Sequence, residues 1–244
     1  GVLVNANVND VTIIATKGGI SNIAGWGINF GSSGANSTIR LEGLTVKGCG
    51  SNARSGTSGS ALYTSVDGGV RLGVFTSSSS NALLVTEVLL RNLRILNSKN
   101  VGLSIGLNKD LLMEDCVIDG TTATVEVSSV LGMSISGPNG DTPGISRVAN
   151  VRINRIMVSN TKCTVINGAT SPPGGVRGCA ITSVENAHVS DGIFSDVVCT
   201  ASSSPAFGTA SVNFAAGLTF SSAKYKLENC QFLSISGDPY TLFS

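Results

Sequence analysis

The chain has 244 residues, a formal net charge of +1 and a charged fraction of 13%, about half the roughly 25% of an ordinary globular protein. With 41% hydrophobic residues, 5% aromatics, 30 glycines and 6 prolines, it is too apolar for a disordered chain. Its Lys and Arg are spread too evenly for a nucleic-acid or membrane-surface binder, and apolar runs such as 82–85 fall far short of the roughly 20 residues that span a bilayer.

Seven segments share one pattern along the chain. They are VNDVTIIATKG (8–18), IRLEGLTVKG (39–48), VLLRNLRILN (88–97), LLMEDCVIDG (111–120), VRINRIMVSN (151–160), IFSDVVCTA (193–201) and YKLENCQFLS (225–234). Aligned on a central apolar residue, they place Val11, Leu44, Leu93, Cys116, Ile156, Val197 and Cys230 together. A second apolar position follows two residues later, and a third precedes the centre by three, giving apolar-x-x-apolar-x-apolar. Alternation on either side has the period of a strand. The doubled polar pair interrupts it once, as a sharp bend between two short strands would, and the Gly or Asn that often follows tolerates a tight corner.

A Gly-apolar-small-apolar strand precedes most of these segments: GINF (27–30), GLSI (102–105), GMSI (132–135), GCAI (178–181) and GLTF (217–220). One repeat therefore holds about three short strands. The shortest spacing between centres, Leu93 to Cys116, is one tightly turned repeat. Longer spacings accommodate Ser-, Gly-, Thr- and Pro-rich insertions at 48–60, 67–80, 136–144, 167–175 and 201–209. The repeat resumes after each, so these are loops rather than linkers. One repeat cannot bury its own apolar positions, but stacked repeats make a continuous core. The expected fold is all-β, a right-handed single-stranded parallel β-helix of about seven or more coils, in preference to a β-sandwich whose strands would share no internal template. Residues 1–244 are expected to form one such domain. The start at Gly1 points to a fragment or processed part of a larger chain.

Phrases such as LLMEDCVIDG, YKLENCQFLS and VRINRIMVSN, each with its glycine-led strand, resemble the right-handed parallel β-helix superfamily of pectate lyases, polygalacturonases and phage tailspikes. The resemblance covers nearly the whole chain and implies an architecture that hosts enzymes and non-enzymes alike. The polygalacturonase patterns Asn-Thr-Asp, Asp-Asp, Gly-His-Gly and Arg-x-Lys are absent. If the chain were an enzyme, the nearest candidates for paired carboxylates and a base are Glu114, Asp115, Asp191, Asp196 and His188. Glu114 and Asp115 occupy the polar slot that also holds Arg91 and Asn92, or Asn154 and Arg155, which reads as a solvated corner. A lyase-type Ca²⁺ site would need converging carboxylates. The densest set is Asp110, Glu114, Asp115 and Asp119, and alternation turns these toward different directions, so neither metal nor cofactor is expected. There is no nucleophile elbow or phosphate-binding loop. Trp26 reads either as a sugar-stacking residue or as a cover for the first repeats. Asn36 begins a glycosylation sequon.

The cysteines are Cys49, Cys116, Cys163, Cys179, Cys199 and Cys230. None forms a Cys-x-x-Cys pair, which argues against zinc. Three fall on apolar positions of the repeat, so free core thiols and a reducing compartment during assembly are expected. The functional expectation is a non-enzymatic structural or surface protein that contacts a host or a glycan. Its setting would be a virion or cell surface, with other subunits of an assembly (a homo-trimer among the options) or polysaccharide as partners. The alternative is a polysaccharide-active hydrolase or lyase on the same scaffold.

Overall fold

The computed structural model of the chain describes residues 2–3, 10–16, 18–30, 38–50, 67–73, 85–125, 130–137, 149–165, 176–201 and 215–237. These residues are all-β. In chain order the strands are β1 (Val2–Leu3), β2 (Asp10–Ile14), β3 (Gly19–Ser21), β4 (Ile28–Phe30), β5 (Thr38–Glu42) and β6 (Thr45–Lys47). Next come β7 (Gly68–Leu72), β8 (Val85–Arg91), β9 (Arg94–Leu96), β10 (Val101–Asp119), β11 (Thr122–Val125) and β12 (Val130–Ser136). The last six are β13 (Asn150–Ser159), β14 (Lys162–Val165), β15 (Val176–Ser190), β16 (Ile193–Ala201), β17 (Ala215–Glu228) and β18 (Gln231–Gly237).

Every strand pairing is parallel, and strands that are distant in sequence lie side by side. One ladder runs β1–β4–β7–β10–β12–β15–β17. A second runs β2–β5–β8–β10–β13–β15–β17. A third runs β3–β6–β9–β10–β13–β16–β18. The chain visits the three in the same order each time, and a shorter ladder, β11–β14–β16–β18, extends the third.

Alternation of side chains decides what each ladder buries. In the second ladder Leu41, Leu90, Met113, Ile153 and Val189 stack in register on the inner side, each 0–2% exposed. In the third, Val46, Ile95, Ile118, Val158 and Phe194 do the same. Each fully buried aliphatic contributes roughly 1.5–3 kcal/mol. Between the second and third ladders the chain bends at the doubled polar pair. The bend residues Asn92, Asp115, Arg155, Asp191 and Asn229 have φ of 51–53° and follow Gly43 at 69°. A second bend column has Asn97, Asn160 and Asp196 at 52–53° with Gly48 and Gly120. Left-handed backbone at these sites turns the chain without a long loop.

The register corrects three readings of the sequence. Val11 and Ile13 pair with Ile39 and Leu41, so segment 8–18 enters the ladders five residues away from the template alignment on Leu44. In segment 193–201, Phe194 rather than Cys199 lies between Val158 and Phe232. Met157 pairs with Ile193, which puts Gly192 where other repeats have Ile156 or Cys230. A glycine there hides the repeat from a hydrophobicity pattern. The Phe194 ring fills the space, lying 2.9 Å from where a Cβ on Gly192 would be. The third correction is at 67–80: Gly68–Leu72 is strand β7, with Val70 and Leu72 fully buried, so Gly69 belongs to the glycine-led strands. Of the other proposed insertions, 48–50 lie in a bend, Ser136 is in β12 and Ala201 is in β16. The remaining residues of those insertions, except Gly137, lie outside the described set.

Candidate functional site

The outward side of the second ladder carries an open groove of about 1110 Å³. Register builds its floor. The residues between the buried positions stack from Arg40 through Leu89, Leu112, Arg152 and His188 to Lys226. Beside them, two positions earlier in each strand, a polar column includes Glu87, Asp110, Asn150, Asn186 and Lys224. One wall of the groove is thus an amide ladder. Asn186 Nδ2 donates to Asn150 Oδ1 at 2.8 Å, and Asn150 Nδ2 donates to Asp110 Oδ1 at 2.9 Å.

Each carboxylate near the groove is engaged. Lys109 Nζ reaches Glu87 at 2.9 Å and Asp110 at 3.8 Å. Arg40 pairs with Glu42 at 2.7 Å. At the far end, Glu228 takes His188 Nε2 on one oxygen and Lys226 Nζ on the other, both at 2.6 Å. Lys226 first and His188 second hold the Glu228 carboxyl below its ordinary range. Arg152 is exposed, sits between Leu112 and His188 in the stack, and has no hydrogen bond or ion pair among the described residues. Tyr225 continues the inward column of Leu111, Val151 and Ala187 and stacks on Phe220 at 4.9 Å, but in this last layer it is 64% exposed.

Of the charged residues singled out in the sequence, His188 and Asp110 line the groove, while Glu114, Asp115, Asp119, Asp191 and Asp196 do not. Glu114 accepts from Arg91 Nε at 2.8 Å. Asp115 stands on the bend beyond it and is clasped by Arg155 through Nε and Nη2 at 2.6 and 2.9 Å, which lowers its pKa. Asp191 occupies the same bend column on the other side of Arg155 and accepts from Asn229 at 3.2 Å. Asp196 lies in the second bend column, separated from Asp191 by the strand residues 193–195. Arg155 therefore divides Asp115 from Asp191. The depressed Asp115 carboxyl is the opposite of the raised one a general acid needs.

In the acidic set weighed for Ca²⁺, Asp119 accepts from Ser159 Oγ at 2.7 Å and Asn160 Nδ2 at 2.8 Å, whereas Asp110 accepts from Asn150 Nδ2. Among the described residues no group of three metal-ligating side chains converges, and no helix is long and apolar enough to cross a membrane. Trp26 is half-buried, with the Arg71 guanidinium 5.7 Å from its ring centroid. Asn36 lies outside the described residues. All six cysteines are free thiols and five are buried.

Sequence reasoning missed Glu228, Lys226 and Arg152. The signal was present in YKLEN, where Lys224, Lys226 and Glu228 alternate onto one face. The link to His188 needed the register. Comparison with family models, with curated proteins and with solved structures gives no significant match.

Proposed function

We propose that the parallel ladders are the walls of one right-handed parallel β-helix of seven coils, and that the protein is a non-enzymatic structural or surface element that contacts a host or a glycan. In-register pairing repeated in the same order and two columns of left-handed bend residues support the architecture. Seven coils would rise roughly 34 Å.

One observation carries the functional reading. The groove holds its carboxylates in ion pairs or amide contacts, while Arg152 is unpaired among the described residues in the middle of the floor. A surface of this kind offers hydrogen-bond donors and flat aliphatic patches at Leu89 and Leu112, which together suit the polar edges and apolar faces of a sugar chain. The fitting setting is a virion or cell surface, as a fibre or spike component with further subunits of an assembly as partners.

The second reading, a polysaccharide-active enzyme, is favoured by the His188–Glu228 contact in an open groove. The two separate in one experiment. The protein is incubated with acidic and neutral polysaccharides, and both retention and product length are measured. Retention without shortening is expected, and Arg152→Ala weakens it roughly tenfold through loss of a charge-assisted hydrogen bond. Shortened chains would overturn the non-enzymatic reading, and loss of cleavage in His188→Ala and Glu228→Gln would assign the chemistry.

A further inference from the structure

Cys163 and Cys199 are partners in register on neighbouring strands β14 and β16. They are 1% and 0% exposed. The neighbouring Cys199 thiol first, and burial second, push the Cys163 thiol well above its ordinary range. The register stacks no other two cysteines directly: Cys116 lies against Ile156, Cys179 against Met133 and Leu218, and the Lys99 N–H reaches the Cys49 carbonyl beside Ser98.

We infer that Cys163 and Cys199 form a redox-dependent staple between two adjacent layers of the stack, free in a reducing compartment and bridged in an oxidising one. Adjacent parallel strands lie about 4.8 Å apart, within the 4.4–6.8 Å window of Cα separations that a disulfide spans. The column leaves room for the sulfurs to swing toward each other, since the residue before Cys163 in the stack is Ala123 and the residue after Cys199 is Gly237. In-register side chains stand about a strand spacing apart, slightly wider than the relaxed Cβ separation of a disulfide, so the bond draws the two layers together. A bond of that kind is easier to reduce than a relaxed one, which makes it conditional rather than permanent.

The oxidant class is a small disulfide such as oxidised glutathione. One cysteine thiolate attacks it and expels a glutathione thiolate. The second cysteine thiolate then attacks the mixed disulfide and expels the other glutathione. Two protein thiols are oxidised, one disulfide is reduced to two thiols, and the two protons pass to the released glutathione. In the folded chain both sulfurs are buried and the Cys163 thiol resists ionisation. Exchange therefore proceeds during folding or after local opening of β14 and β16 rather than in the closed stack.

The test uses the whole 244-residue chain. It is refolded from urea in a reduced/oxidised glutathione buffer, quenched with an alkylating agent and digested without reduction. The expected product is a single cross-linked peptide pair joining Cys163 to Cys199. The unfolding midpoint should rise by roughly 5–10 °C, as closing a loop of this length predicts, and dithiothreitol should reverse the rise. Cys163→Ala and Cys199→Ala, each checked for an unchanged β-type circular dichroism spectrum, should abolish both effects. Native protein exposed to the same buffer should react far more slowly than refolding protein. Six alkylated thiols after oxidative refolding would overturn the inference. So would a cross-link between any other two cysteines, or glutathione captured at Cys230 alone.

Discussion

Ser98, Thr121 and Thr161 stack on the inner wall, each at most 1% exposed. Their hydroxyls have no hydrogen-bond partner among the described residues. They face Gly69, Gly102 and Gly132, and each hydroxyl lies 2.7–2.8 Å from where a glycine Cβ would be. A hydroxyl is small enough to meet a bare backbone, which explains the residue size but not its polarity. An unpaired buried hydroxyl costs about 1–3 kcal/mol, and valine has nearly the shape of threonine. Thr121→Val and Thr161→Val should therefore each raise stability by about 1 kcal/mol in urea titration, and a loss of stability would reveal a partner for the hydroxyl. The thiols make a second expectation. Burial pushes Cys116 up to about 11 from an ordinary value of 9.0, and Cys163 and Cys179 are raised further. Unfolded thiols ionise first as pH rises, so the stabilising contribution is intact below about 9 and is lost up to about 11. Each thiol should remove about 1.4 kcal/mol per pH unit in that window. A flat stability profile between pH 8 and 11 would mean the thiols ionise as freely folded as unfolded. That several cysteines sit on apolar positions was legible in the sequence. The facing of Cys163 and Cys199 was not, because it depends on the register between segments 36 residues apart.

At the scale of the element, the bend between the second and third ladders depends on left-handed backbone at one residue per repeat. Asn92 stands there at φ 51°. Asn92→Gly should be nearly neutral, whereas Asn92→Ala should cost about 1 kcal/mol, because a Cβ in this region meets the following carbonyl and alanine lacks the amide that offsets it. Equal stability of the two variants, by thermal melts, would remove the backbone argument. The glycine-led strands are constrained differently. A methyl on Gly102 would strike the Gly132 carbonyl oxygen as well as Ile118 and Thr121, so Gly102→Ala should destabilise by several kcal/mol or abolish folding. These two kinds of site account for what could be read from the sequence. The bend pair recurs visibly in five of the seven segments, and there the alignment matches the register. It slips by five residues in 8–18 and 193–201 because the marker residue is missing. In 193–201 the bend pair is Ser190 and Asp191 and the apolar centre is Gly192, so a downstream apolar pair at Val197 and Cys199 imitates the template. Groove residues stayed hidden for a related reason: Arg152, His188 and Lys226 are far apart in sequence and meet only through the ladder.

In the proposed β-helix each layer is held by its two neighbours, so stability should vary with position along the stack. In the central strands β10 and β13, Met113, Cys116, Ile118, Ile153 and Val158 are at most 2% exposed. In the last described layer the equivalent positions are open, with Leu227 at 40% and Phe232 at 45% exposure, and Leu233 beside them at 50%. The first layer resembles the last, since the inward residues Val11 and Ile13 are only partly covered. A stack stabilised by nearest-neighbour contacts opens from its least covered layers. Native-state hydrogen exchange should therefore show slow amides in β10 and β13, with faster exchange toward β2 and toward β17 and β18. The opening free energy should step down by a few kcal/mol per layer rather than fall at one boundary. Subglobal opening of this kind would make a single unfolding midpoint a poor description of the chain. Uniform protection from β2 to β18 would mean that the layers unfold as one cooperative unit. The exposed apolar positions of the last layer would then cost the stack too little to matter, and the coupling between layers would have to exceed what their side-chain contacts supply.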